Sequence, residues 1–257
     1  MRSASAAYRG GRSSAKPPSD LASRATEIWT MPLIRDWTAI NEPIVSHTGR
    51  VRQALTAEPS QLRRRLTQLI AGLAVYGVSM ALLIRSRLGN MPWDVLHQGI
   101  ARQLHQSIGT VTIAVGAIVL MLWIPLREKP GIGTLCNVGV IGISVDAALT
   151  VLPSAGSVLA QALSAGAGIV LNAVATAAYI GARLGPGPRD GLMTGLVRRT
   201  GGSVRLVRTT IEIAVVITGW ALGGTLGIAT VLYALTIGPL VQLFLPHLTV
   251  RRAGSSL

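Results

Sequence analysis

Apolar residues recur along this chain in long uninterrupted windows, not in short alternating runs. About 20 such residues are needed for a helix to cross the hydrocarbon core of a bilayer. Leu66–Ile84 and Ser107–Leu126 hold no charged residue, Gly131–Leu152 holds only Asp146, and Ser157–Ala182 holds none. The last apolar region, Ile213–Val250, is too long for one span. Gly223-Gly224-Thr225-Leu226-Gly227 divides it, and with a polar entry at Ser203 it gives spans over 203–222 and 227–246. The pattern predicts six transmembrane helices.

The first 65 residues differ. They hold 11 of the 24 Lys and Arg residues, and Pro17, Pro18, Pro32, Pro43 and Pro59 break any long helix. We read 1–65 as a basic, largely disordered cytoplasmic segment. No long apolar stretch follows the first arginines, so it is not a secretory signal peptide. Trp29, Leu33, Ile34, Trp37 and Ile40 suggest a membrane-surface segment over 28–40, which Pro32 weakens. Residues 66–250 form the membrane domain and 251–257 a cytoplasmic tail.

Composition agrees with this division. The 257 residues carry a net charge of +14, yet 49% are hydrophobic and only 13% are charged. A basic disordered nucleic-acid tail would be far less apolar, and a soluble domain would carry about 25% charged residues. The single cysteine, Cys136, excludes an internal disulfide framework, and four scattered histidines offer no metal-ligand spacing. Metalloprotease, nucleophile-elbow, P-loop and dinucleotide fingerprints are all missing, so the sequence gives no catalytic assignment.

The arginines orient the spans. Arg63, Arg64 and Arg65 precede the first span, and Arg127 and Lys129 follow the second. Arg183, Arg189, Arg198 and Arg199 follow the fourth, and Arg251 and Arg252 the sixth. With six crossings all four groups share one side, which puts both termini in the cytoplasm. Arg85, Arg87 and Arg102 fall on the other side, against the rule. Trp123 and Trp220, near span ends, fit interfacial anchors.

A duplication at an offset of 96 residues organises the membrane domain. The pattern G-x-x-P-x-D-x-L-x-x-G occurs at Gly89, Pro92, Asp94, Leu96 and Gly99, then at Gly185, Pro188, Asp190, Leu192 and Gly195. Arg102 matches Arg198, Ser107 matches Ser203, and Gly131-Ile132-x-Thr134 matches Gly227-Ile228-x-Thr230. Repeat one covers 66–153 and repeat two 157–246. Each holds three spans, an odd number, so the second copy enters the membrane with opposite polarity. The fold expected is an all-α polytopic membrane protein of two inverted three-helix repeats, a plan seen in many secondary transporters.

Within each repeat, Pro92 and Pro188 suit the first position of a short helix, and Asp94 and Asp190 its first turn. Two readings follow: helix-start residues on surface loops, or short re-entrant helices lining a cavity. Trp93 and His97 surround the first acid with apolar or weakly polar chemistry, whereas Arg189 beside Asp190 invites a local ion pair. In the fifth span Arg205, Arg208 and Glu212 share one helix face. A carboxylate near the midplane costs about 3 kcal/mol, so Glu212 is either paired with Arg208 or is a proton- or substrate-coupled group in a central cavity. Asp146 is a weaker candidate, and Asn172 reads chiefly as a helix–helix hydrogen bond. Gly139-x-x-Gly142 and Ala165-Gly166-Ala167-Gly168 are packing signals.

These motifs resemble the YczE-like group of the wider YitT/YyaS family of bacterial membrane proteins. The resemblance rests on Gly89-x-x-Pro92-Trp93-Asp94-Val95-Leu96-His97-x-Gly99 and Gly187-Pro188-Arg189-Asp190-Gly191-Leu192-Met193. Arg208-x-x-x-Glu212, Gly223-Gly224-x-x-Gly227-x-x-Thr230 and Gly238-Pro239 complete it, over about 66–246. It implies a multi-pass protein of the bacterial cytoplasmic membrane and supplies no substrate. The function expected from the residues is a small-molecule secondary transporter or exporter, with Glu212, Arg208, Asp94 and Asp190 as substrate or coupling groups. Arg205, Pro92, Trp93, His97, Pro188, Arg189, Asp146 and Asn172 support them. The alternative is a non-transporting regulatory or scaffold protein using a basic cytoplasmic face. Partners consistent with this plan are the lipid bilayer, a small-molecule substrate and further copies of the chain. Nothing in the sequence points to nucleic acid, a cofactor or a resident metal.

Overall fold

In the computed structural model, residues 59–250 are described, and all their regular structure is helical. The readings made for 1–58 and 251–257, including the surface segment, Arg251 and Arg252, lie outside the described residues. Eight helices follow in order: α1 Pro59–Ser86, α2 Pro92–Leu104, α3 Ile108–Leu126, α4 Ile132–Val151, α5 Val158–Gly181, α6 Pro188–Thr200, α7 Val204–Ala221 and α8 Ile228–Leu248. Within the described residues, α1 from Gln61, α3, α4, α5 and α8 are long and apolar enough to cross a membrane. The 18-residue α7 carries Arg205, Arg208 and Glu212 and falls outside that group.

Helix ends follow the turn and cap residues. Ser107, Ser157 and Ser203 cap α3, α5 and α7, each side chain accepting from the backbone N–H three residues on. Pro92 and Pro188 open α2 and α6. The first helix starts earlier than its apolar window, running back through Arg63, Arg64 and Arg65 to Pro59. A helix can continue past the apolar stretch because long arginine stems reach polar surroundings while the backbone stays hydrogen-bonded.

The order long helix, short helix, long helix, long helix thus occurs twice. α1 packs chiefly on α5, the equivalent helix of the second half, and α4 and α8 lie against α1 and α5 respectively. The short helices cross over, α2 packing on α7 and α6 on α3. Backbone contacts recur at the same 96-residue offset. Ala229 donates its N–H to the Leu88 carbonyl at 3.0 Å, and Gly133 donates to Leu184 at 3.0 Å. Gly89 and Gly185, both at positive φ, lie beside Thr230 and Thr134 of the partner half.

The crossovers are close. At α2–α7, a Cβ on Gly99 would strike the Gly219 carbonyl, and one on Gly219 would strike the backbone of Leu96. At α6–α3 the contact is reversed in size: Gly191 leaves the slot that the Trp123 indole fills. Trp123 is therefore no interfacial anchor. It is 1% exposed and donates its indole N–H to the Pro188 carbonyl at 2.9 Å. Trp220, by contrast, is exposed at the end of α7. Small residues divide likewise: Gly142 meets α3 at Gly109 and Ile113, whereas Gly139 and Gly166 have nothing within 4 Å.

Two of the three arginines that broke the charge pattern, Arg85 and Arg102, bind helix ends. Arg102 donates to the Gly223 carbonyl beyond α7, and its counterpart Arg198 donates to the Leu126 carbonyl ending α3 at 2.6 Å. Arg85 donates to the Leu149 carbonyl and, at 3.2 Å, to Ser154 Oγ. Cations there satisfy terminal carbonyls and complement the helix dipole. That local use explains their position better than orientation does.

Two sequence candidates hold helices together. Asp146 of α4 accepts from Ser107 Oγ at 2.5 Å and from the Gly109 N–H at 2.7 Å, capping α3. Asn172 of α5 is fully buried, donating to Ser79 Oγ on α1 at 2.9 Å and accepting from the Tyr233 hydroxyl on α8 at 2.9 Å.

Two variants test this packing by thermal melting of the detergent-purified protein. Gly219→Ala is expected to cost about 1–3 kcal/mol, because its neighbours are backbone atoms that cannot yield. Gly139→Ala, facing open space, should stay within about 0.5 kcal/mol of wild type. Equal melting of the two would refute the close crossover. Asp146→Ala is expected to cost about 1.5–3 kcal/mol through lost hydrogen bonds to a charged group. An unchanged melting temperature would remove its capping role.

Candidate functional site

The α2 block begins with a buried turn. Asn90 donates its backbone N–H to Thr225 at 3.3 Å and its amide to Gln98 Oε1 at 2.9 Å, which fixes the entry to Pro92. Asp94 then falls in the first helical turn, where the positive end of the helix dipole favours a carboxylate. It is only 4% exposed, so the surface-loop reading of this aspartate fails. Its Oδ1 lies 3.3 Å from His97 Nδ1, one turn on. Its Oδ2 is buried with no hydrogen-bond partner among the described residues.

Thr112 of α3 fixes the histidine proton. Its Oγ1 lies 3.4 Å from His97 Nδ1 and donates its own proton to the Ile108 carbonyl at 2.8 Å. His97 Nδ1 therefore faces two acceptors, the Thr112 oxygen and Asp94 Oδ1, so that nitrogen carries the hydrogen. Trp93 stands beside the imidazole with ring centroids 6.5 Å apart.

The α6 block presents a cation. Arg189 donates to the Tyr76 hydroxyl of α1, and its guanidinium carbon lies 5.6 Å from the centre of the Tyr76 ring. Cation–π contact of this kind contributes about 0.5–2 kcal/mol, more as water is excluded. The local ion pair expected between Arg189 and Asp190 does not form. Asp190, partly buried, accepts instead from the Tyr179 hydroxyl at 3.1 Å, and Arg189 makes no ion pair among the described residues. The tyrosines separate them: Tyr76 and Tyr179 meet edge to face at 6.5 Å, each engaging one member of the pair.

Asp94, His97, Tyr76 and Arg189, but not Tyr179 or Asp190, line one cavity of about 490 Å³, open space at its mouth included. Trp93, Asp94 and His97 come from α2, Pro188 and Arg189 from α6, and Tyr76 from α1. Thr112 and Gly116 of α3 and Asn137 of α4 contribute polar or small surface, and aliphatic residues fill the rest. Trp93 and Arg189 are counterparts at the 96-residue offset, so equivalent positions of the two halves meet here with different chemistry.

The fifth-span candidates lie elsewhere. Arg208 Nε sits 3.1 Å from Glu212 Oε1, with the two side chains 47% and 36% exposed, and Arg205 is exposed. Neither Arg208 nor Glu212 lines the cavity. Their counterparts at the same offset, Thr112 and Gly116, do. Sequence reasoning thus named Asp94, His97, Trp93, Pro188 and Arg189 but missed Tyr76, Thr112 and Asn137. The available signal was the offset itself, which pairs Tyr76 with buried Asn172 and Thr112 with Arg208.

Comparison with known proteins agrees on the membrane domain. A family of unknown function, DUF6198, matches residues 63–246. An uncharacterised protein of Haemophilus influenzae is 37% identical over 182 residues, covering 71% of this chain and 84% of the relative. The uncharacterised membrane protein YczE of Bacillus subtilis is 31% identical over 189 residues, 73% of this chain and 88% of its own. The uncharacterised protein YyaS of the same organism is 26% identical over 179 residues, 68% and 89% respectively. No solved structure matches. With its apolar helices and this match, the chain is a YczE-like membrane protein and belongs to the DUF6198 family.

Proposed function

We propose that the protein is a small-molecule secondary transporter of the bacterial cytoplasmic membrane, working through the cavity between its two halves. The observation that carries this reading is the cavity itself, in which short helices of both halves present equivalent positions, Trp93 and Arg189, to one space. Substrate sites in inverted-repeat transporters lie at such a repeat interface, beside broken or shortened helices. In this reading six helices cross, α7 being the sixth, the two halves are inverted, and both termini are cytoplasmic.

Unequal packing of the halves supports alternation. α3 is packed on α4 across Gly109 and Gly142, while α7 and α8 share little contact and Gly238, the counterpart of Gly142, has nothing within 4 Å. Two halves of one plan in different packing states are what exchange of access requires. When the halves exchange roles, Arg208 and Glu212 take the cavity-facing place that Thr112 and Gly116 hold here, which gives the fifth-span carboxylate its coupling part. The scaffold alternative draws less support, because Arg198 and Arg199 are engaged: Arg198 pairs with Glu128 at 2.8 Å, and Arg199 donates to the Pro125 carbonyl at 3.0 Å.

Access is tested without knowing the substrate. Val115→Cys and Val138→Cys, each in a Cys136→Ser background, place a thiol at the cavity wall. A membrane-impermeant maleimide is expected to label both in right-side-out and in inside-out vesicles. Labelling from one side only, or from neither, overturns transport.

A further inference from the structure

The cavity presents a guanidinium and a carboxyl group that make no direct pair with each other. Arg189 is charged at any physiological pH, carries five N–H donors, and spends one on Tyr76. Asp94 is more than nine-tenths buried, and its Oδ2 has no hydrogen-bond partner among the described residues. Both line the same space, on short helices from different halves, and no ion pair joins them. A buried carboxylate oxygen without a donor, and a cation with donors to spare, are each costly in surroundings this apolar.

Those costs discriminate among ligands. A singly charged anion would satisfy Arg189 and meet the Asp94 carboxylate as a like charge. A singly charged cation would satisfy Asp94 and meet Arg189. A molecule bearing both charges, neutral overall, satisfies both ends and adds no net charge to the cavity. The apolar wall formed by Met80, Val119 and Ile141 then receives an uncharged remainder.

We infer that the cavity between α2 and α6 binds a small zwitterion, its anionic group on Arg189 and its ammonium on Asp94. Trp93 also lines the cavity, and an aromatic ring face favours a cation. His97, hydrogen-bonded through Nδ1, positions Asp94 and does not itself carry the ammonium. This assignment deepens the transport reading and rests on it for its physiological meaning.

The test uses the full-length purified protein in detergent at pH 7.5. Thermal shift and calorimetry are run with α-amino acids from glycine to phenylalanine, each beside its des-amino acid and its decarboxylated amine. At least one amino acid is expected to bind tenfold or more tightly than both of its singly charged analogues. Asp94→Asn should bind that amino acid at least tenfold more weakly and its des-amino analogue as tightly as wild type or more tightly, since a like charge is removed, and Arg189→Gln should weaken both. Melting of the unliganded variants shows whether they fold, and if they do not, the wild-type comparison decides alone. Binding of no amino acid, or an analogue binding as tightly as its parent, overturns the inference. Maleimide labelling from both sides with no amino-acid binding removes the zwitterion and leaves transport standing. Amino-acid binding with one-sided labelling does the reverse.

Discussion

The structure depends on how the backbone is satisfied where each half breaks its helix. Between α1 and α2, and again between α5 and α6, the chain turns through Arg87 to Gly89 and Arg183 to Gly185. Carbonyls freed there cannot go unpaired in apolar surroundings. The other half supplies the donors, Ala229 for Leu88 and Gly133 for Leu184. Because each half completes the other, neither break can be relaxed without loosening the partner. The two short helices are thereby brought to one interface.

Packing elaborates the same exchange. α2 lies on α7 through facing glycines, while α6 lies on α3 through Gly191 and Trp123. Val95 and Gly219 stand at the counterparts of Gly191 and Trp123, so the large and small members have changed sides. Duplicated halves can diverge in this way while each crossing keeps its close approach. The same divergence turned one pair of equivalent positions into Trp93 and Arg189, and it is what gives the cavity separated charges instead of two identical walls.

Polar residues inside the bundle fall into two groups, distinguished by whether their partners are complete. Asn172, Ser79 and Tyr233 close a chain of hydrogen bonds among α1, α5 and α8, and Asp146 caps α3. Such satisfied groups hold helices. Asp94 and Arg189 retain unused hydrogen-bonding capacity beside a cavity, which is why they, and not the better paired Glu212, anchor the functional reading.

Much was legible in the sequence alone. The apolar windows located the long helices to within about two residues at every end but the first, where α1 runs back to Pro59, since bilayer thickness imposes a length that only an apolar run can meet. The 96-residue offset and the Pro-x-Asp blocks located the short helices, because a proline start, a first-turn acid and a glycine turn are local requirements. Burial was not legible. Asp94 and Asp190 stand at equivalent positions with similar signals, yet one is enclosed and the other half-open, held by Tyr179. Trp123 read as an anchor because its position near a span end is local information, whereas Gly191, which accommodates it, lies 68 residues away. Arg208 and Glu212 share a helix face, but only the packing of α7 decided what that face meets. Sequence specifies periods, caps and turns, which act over a few residues; which faces meet, and which charges stay unpaired, is settled by contacts between distant segments.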